Sequence, residues 1–302
     1  MIAPIIRYER RSLITGMWAN LVMGAAGITA SQLSNSDALM VDGLYSGVNF
    51  VSAIIAMRVA NSILKPADKK MPFGYDANES LYILFRSLVL LGILTFAGFT
   101  SLRKIITYAN GGDVPQLHFG PIAVYMVFMV AICASLAWWH HHNWRKTNRR
   151  SEILKTERSA SIVDSVISAG TGGALLSVPL LRGTPAEAII PVADAIVVLL
   201  LAVIMINQPY GMLRGAIKEV SGEAVDEEIT CDVRDRIEAT IEPIPCELLA
   251  VAVTKLGRTY FVISYVRPDD SVVAEDLDTF RQEVHDSYAD LFGRVKTEVI
   301  YT

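Results

Sequence analysis

The sequence predicts an α-helical membrane protein with six transmembrane helices, followed by a small cytoplasmic α+β domain of αββαβ order. Three observations carry that prediction. The 302 residues are 52% hydrophobic and only 19% charged, with a mean hydropathy of +0.38, whereas soluble chains average roughly 25% charged. Six apolar stretches are each about as long as a helix needs to cross roughly 30 Å of hydrocarbon. The charge also divides: 220–302 carries 18 acidic and 8 basic residues, a net of −10, which leaves 13 acidic and 19 basic residues before it, a net of +6.

The six stretches lie near 13–34, 38–62, 80–107, 118–142, 160–181 and 187–210. The first lacks a short apolar core followed by a small-residue cleavage site, so it is expected to remain in the mature protein. Arg7, Arg10 and Arg11 precede it. Lys65, Lys69 and Lys70 follow the second stretch, and Arg145, Lys146, Arg149, Arg150, Lys155 and Arg158 lie between the fourth and fifth. Alternating spans put all of these on one side, and the positive-inside bias makes that side cytoplasmic, with both termini there. Arg103, Lys104 and Arg182 run against the bias but are fewer.

Beyond Lys218 the pattern becomes that of a soluble domain. A helix is expected over 228–240, strands over 247–254 and 259–267 joined at Leu256-Gly257, a helix over 274–291 and a last strand over 294–301. Alternation from Tyr260 to Tyr265 marks a sheet with one buried face. The resulting order, αββαβ, is a ferredoxin-like α+β arrangement. The expected domains are therefore a transmembrane domain over 1–219 and a cytoplasmic domain over 220–302. About 80 residues make a marginal core, so packing against a second copy would help the latter.

Several classes are excluded by the same numbers. The apolar fraction excludes disorder, 20 glycines without a three-residue period exclude collagen, and three cysteines exclude a disulfide scaffold. No phosphate-binding Gly-x-x-x-x-Gly-Lys-Ser/Thr loop is present, so no step driven by ATP is expected. There is no paired nucleophile and base either, so an enzyme is not expected, nor is a nucleic-acid partner.

Ionisable groups inside spans are costly and mark functional candidates. On the second span Asp42, Tyr45, Ser46 and Asn49 are spaced by three, four and seven residues and share one helical stripe. On the fifth, Ser161, Asp164, Ser165 and Ser168 repeat that spacing, with Asp164 the charge in the apolar middle. Two such stripes facing each other would hold a dehydrated cation, and the sixth span adds Asp194 near its outer end. The bland alternative is that these groups brace the bundle by hydrogen bonds between helices.

The run Ser36-Asp37-Ala38-Leu39-Met40-Val41-Asp42-Gly43-Leu44-Tyr45-Ser46, then Lys65-Pro66-Ala67-Asp68, Pro72-Phe73-Gly74-Tyr75 and Glu79, resembles the cation diffusion facilitator family. So do six spans with an αββαβ tail ending in Val299-Ile300-Tyr301-Thr302. The resemblance covers nearly the whole chain. It implies a homodimer in a lipid bilayer that exports a divalent cation (Zn, Fe, Mn or Co) from the cytoplasm against entering protons, with no permanently bound cofactor. The expected location is a bacterial inner membrane. It also implies that the tail dimerises or regulates, and that the cation site comprises Asp164, Asn49, Tyr45 and Asp42.

The chain departs from that family at the site itself. The resemblance leads one to expect Asp or His and then Asp on the second span, where Tyr45 and Asn49 stand. On the fifth span Ala160 and Asp164 occupy the matching pair. Asn49 cannot exchange protons, so coupling is expected to rest on Asp164, with Asp42 beside it. Lack of His and Cys in the stripe disfavours a tetrahedral Zn site and favours Mn²⁺, Fe²⁺ or Co²⁺. An alternative function is a non-transporting family member that stabilises another membrane protein.

Other features have plainer readings. Met71 and Tyr75 stand where the family's loop often has His, leaving Asp68 alone, so no metal is expected there. The tail has His285, Cys231 and Cys246. His140-His141-His142 sits among Trp138, Trp139 and Trp144, as an interfacial aromatic belt does, although metal capture is the other reading. Cys133 is expected to pack. Arg58 and Arg86 either snorkel or pair with Asp68 or Glu79 as an inner gate. Gly92, Gly98, Gly170, Gly172 and Gly173 are expected at close helix contacts.

Overall fold

The computed structural model describes residues 2–63, 65–72, 74–147, 151–241, 246–268, 278–283, 285–286 and 294–301. Phe73, Arg149, Arg150, Thr302 and most of the expected helix 274–291 lie outside them. The helices are α1 (Ile2–Ser34), α2 (Asp37–Ile63), α3 (Ala77–Ala109), α4 (Phe119–Lys146), α5 (Glu152–Ser177), α6 (Ala193–Met205), α7 (Asn207–Ser221) and α8 (Glu227–Ile241). Three strands follow: β1 (Cys246–Leu256), β2 (Thr259–Pro268) and β3 (Val295–Tyr301).

Six helical segments are long and apolar enough to cross a membrane: Arg7–Ser34, Asp37–Ile63, Ala77–Ala109, Phe119–Lys146, Leu154–Leu181 and Glu187–Ser221. They match the expected order and run further at most ends, because a helix continues wherever residues tolerate it while hydropathy sees only the apolar part. Helix α5 starts eight residues before the expected 160, where Ser151 accepts from Leu154 N at 3.2 Å as N-cap. The last span is broken. A 3₁₀ turn, Glu187–Val192, leads into α6, and α6 stops at Met205 because Pro209, four residues on, has no N–H to bond that carbonyl.

Contacts divide the chain into two compact units, Met1–Ile54 with Leu88–Tyr210, and Ile55–Ser87 with Gly211–Thr302. The core of the first is a continuous cluster that includes Met23, Leu39, Leu94, Ile122, Met129, Leu175 and Val198. Its α1–α2 corner is closed by Asn35 in the left-handed region at φ 57, whose Nδ2 donates to Gln116 O at 3.0 Å. Ser36 then caps α2 through Leu39 N at 3.3 Å.

Helices α1 and α2 meet through glycine. A Cβ on Gly27 would lie 2.6 Å from Gly43 Cα, and one on Gly43 would lie 2.7 Å from Ile28 N. The glycines expected at close contacts behave differently: Gly92, Gly170 and Gly173 face open space, Gly98 meets Leu199 at 4.0 Å, and only Gly172 is tight, against Met126. Sequence spacing shows that a glycine permits an approach, not whether a neighbour makes one.

In the second unit, β1 pairs antiparallel with β2, and β2 pairs parallel with β3, in the order β1-β2-β3. A parallel pair requires a crossover, and within it residues 278–283 and 285–286 are helical, with Phe280 buried. Val233, Ile237 and Ile241, one turn apart on α8, pack with Val253, Val262, Val266, Phe280 and Val295. The small α+β domain is as expected, with strand ends displaced by a residue or so.

The β1–β2 turn is tied to the other segments of its unit. Gly257, at φ +60, donates its N–H to Ser80 Oγ at 2.9 Å and to Glu219 Oε2 at 3.2 Å. A Cβ there would run into the carbonyl oxygen of Asp76. Ser80 also donates to Glu219 Oε2 at 2.5 Å, and Lys255 Nζ lies 3.2 Å from Glu219 Oε1.

Candidate functional site

Helix α2 begins at a buried polar knot. Asp194, on the first turn of α6 and fully buried, accepts from Ser36 Oγ at 2.6 Å, Asp37 N at 2.7 Å and Ala38 N at 3.3 Å. Together with Ser36 it satisfies the free N–H groups that a helix start presents. Lys104 on α3 lies 3.3 Å from Asp37 Oδ2 and 3.7 Å from Asp194 Oδ2. Lys104, one of the three cations that run against the orientation rule, is therefore neutralised locally by two carboxylates. Asp194 acts as an interhelix cap.

One turn along α2, Tyr125 on α4 donates its hydroxyl to Asp42 Oδ2 at 2.6 Å. Asp42 and Tyr125 border a cavity of about 30 Å³, which Ser168 and Thr171 of α5 also line. Residues of the second and fifth spans, Asp42 and Ser168, thus line one cavity. Asp164 shares the face of Ser168 and Thr171, at offsets of four and seven, and is solvent-accessible in the isolated chain. Asn49 is half-buried. Tyr45, also half-buried, donates to Gln208 Oε1 at 3.4 Å. Ser46 and Ser161 are buried, the latter donating to Glu157 O at 3.0 Å.

Tyr125 was not foreseen. In the sequence it is an aromatic residue within an apolar run, and nothing in its own helix signals a partner 83 positions away. Among the described residues no group of three or more His, Cys, Asp or Glu could hold a metal ion. A cation held on this face must therefore complete its shell with ligands other than the side chains of His, Cys, Asp and Glu.

The family model described as the cation efflux transmembrane domain matches residues 13–220. The chain belongs to the cation efflux family. It is also similar to the manganese efflux system protein MneP of Bacillus subtilis (strain 168), at 22% identity over 224 residues, 73% of this chain and 71% of that protein. This cation efflux protein is accordingly a metal-cation transporter, and its six helices long and apolar enough to cross a membrane fit a multi-pass membrane protein.

The remaining features of this family member resolve into packing. His140 is buried and its Nδ1 lies 2.9 Å from Ser12 Oγ, which also accepts from Asn143 Nδ2 at 3.1 Å. His142 stacks on Trp138 at 5.6 Å, and His141 lies 5.9 Å from Trp144. The three histidines point to three different neighbours. Cys133 is buried, with Sγ 3.8 Å from Met23 Sδ. Cys231 is exposed, and Cys246 and His285 are half-buried.

The loop after α2 closes on Asp68. Its Oδ1 accepts from Lys70 N and Met71 N, both at 2.8 Å, and its Oδ2 from Tyr75 Oη at 2.7 Å. The Tyr75 hydroxyl first, then the two backbone N–H groups, hold the Asp68 carboxyl below its ordinary pKa, and the same bond raises the Tyr75 phenol. Glu79 takes Arg258 Nε at 2.9 Å, and Arg294 lies 3.6 Å from Asp76. The acids suggested as gate partners for Arg58 and Arg86 therefore bond within their own loop and to the tail, and Arg58 is exposed.

Proposed function

We propose that this protein exports a divalent metal cation, Mn²⁺ first and Fe²⁺ or Co²⁺ next, in exchange for protons by alternating access. Residues 1–219 form the transport domain, and 220–302 serve dimerisation and regulation in a homodimer. It sits in a bacterial inner membrane with both termini cytoplasmic. The observation that carries the reading is the polar face of α5: Ser168 and Thr171 line the same cavity as Asp42 of α2, and Asp164 precedes them on that face at offsets of four and seven.

The cation sheds water against Asp164, Asn49 and Tyr45, with Asp42 one turn further along α2. Neutral oxygens with few carboxylates and no imidazole or thiolate suit a hard cation better than Zn²⁺, and the similarity to a manganese efflux protein supports that choice. Antiport requires a group that releases its proton when the metal binds. Asp164 is that group. Tyr45 and Asn49 stand where the family resemblance leads one to expect acids or His, and this favours the second reading, a non-transporting stabilising partner.

Proteoliposomes with a pH gradient decide between them. Wild-type protein should drive Mn²⁺ flux with opposite proton movement. Asp164→Ala should abolish both, and Glu238→Gln on the exposed face of α8 should leave both intact. A wild-type protein that moves no divalent ion under any gradient would establish the stabilising-partner reading instead.

A further inference from the structure

The cavity beside Asp42 carries more than a hydrogen bond between helices. At about 30 Å³ it has room for one or two water-sized bodies. Oxygen-bearing residues line it from three helices: Asp42 of α2, Tyr125 of α4, and Ser168 and Thr171 of α5. The remaining wall is apolar: aliphatic side chains together with three methionines. Met126 and Met129 of α4 and Met205 of α6 line the same space.

The surrounding packing is cut to hold this arrangement. Gly27 leaves the Tyr125 hydroxyl its place, since a Cβ there would lie 2.9 Å from it. Ser168 and Thr171 follow Asp164 at offsets of four and seven on α5, so the cavity begins about 6 Å along the helix from Asp164, toward the end that leads to Arg182.

We infer that this cavity is a second cation station, through which a dehydrated transition-metal dication passes after leaving Asp164, and that its thioethers reject Mg²⁺ and Ca²⁺. The inference rests on the export reading for its place in the cycle. Its chemistry is independent of that reading. Mg²⁺ and Ca²⁺ demand shells of oxygen, whereas the first-row dications bind mixed N, O and S sites with affinity rising from Mn²⁺ through Fe²⁺ to Co²⁺. Mn²⁺ is the hardest of the three, and a polarisable sulfur beside oxygen disfavours Mg²⁺ and Ca²⁺ more than any of them. When the cation arrives, Tyr125 turns its proton away from Asp42 and offers an oxygen lone pair, so that the carboxylate is free to bind.

The test uses the full-length protein in nanodiscs. Asp164→Ala removes the first station, and bound Mn²⁺ is counted by loss of the free-ion electron paramagnetic resonance signal, with Mg²⁺ as competitor. The Asp164→Ala protein should still bind one Mn²⁺ per chain, with sulfur in the first shell of its X-ray absorption spectrum, and adding Asp42→Asn should weaken binding at least tenfold. Replacing Met126, Met129 and Met205 together by Leu, a change that cores tolerate, should lower the Mn²⁺ over Mg²⁺ preference at least tenfold while binding persists.

Absence of Mn²⁺ binding in Asp164→Ala would overturn the station, as would a shell of oxygen alone or a preference within twofold of the original after the methionine changes. Tyr125→Phe gives a further check with minimal change of shape, and unchanged Mn²⁺ affinity in that variant would also count against the site. Failure of wild-type export in proteoliposomes would remove the proposed function instead, while these binding measurements still decide the station.

Discussion

Gly43→Ala offers a sharp test of how α1 and α2 are held. The added methyl would lie 2.7 Å from Ile28 N, 2.9 Å from Gly27 C and 3.0 Å from Gly27 Cα, all backbone atoms that cannot rotate aside. Ordinary contact begins at 3.4 Å, so the two helices must separate by about 0.7 Å. Overpacking of this kind costs roughly 1–3 kcal/mol. At about 2–4 °C per kcal/mol for a unit of this size, the melting midpoint in detergent should fall by roughly 2–12 °C.

Gly47→Ala, one turn further on the same helix, is the control, because nothing lies within 4 Å of its Cβ. There the better helix former should stabilise by about 0.5–1 kcal/mol. The pair of midpoints is read by tryptophan fluorescence on heating. Equal losses in both variants, or a neutral Gly43→Ala, would refute the crossing.

Two other perturbations follow from the same contacts. Asp194→Ala leaves Ser36 Oγ, Asp37 N and Ala38 N without their acceptor, and at about 1–3 kcal/mol for each orphaned buried donor the loss should be roughly 3 kcal/mol or more; a denaturation midpoint that barely moves would show that Asp194 does not cap α2. Tyr75→Phe removes the largest cause of the depressed Asp68 pKa. A depressed carboxyl stabilises above its unfolded pKa and loses that effect as pH falls through the folded value, so the loop of the variant should loosen at a higher, still acidic, pH. A carboxyl ¹³C titration of aspartate-labelled protein measures this, with Asp68→Asn assigning the signal.

Hydropathy exposed the spans because lipid demands a run of apolar residues at each crossing, and alternation in Tyr260–Tyr265 exposed the sheet because one of its faces is buried. What sequence could not show was which residues meet across helices. Asp42 stood out on α2, yet its partner Tyr125 lies on another helix with no polar pattern around it. Asp194 was visible as a charge but not as a cap, since capping is usually read from residues adjacent to the helix start and this one comes from 157 positions away. His140-His141-His142 looked like a single feature only in one dimension; successive helical residues project about 100° apart, so the three found different neighbours.

The turn at Asp68 has its own bearing on biogenesis. Tyr75, Lys70 and Met71 all donate to it, so the carboxylate takes these bonds from groups within seven residues of itself. A ribosome can therefore deliver this corner already shaped, in a cell starved of trace elements as readily as in one flooded with them. A strong chelator added during synthesis should leave it in place.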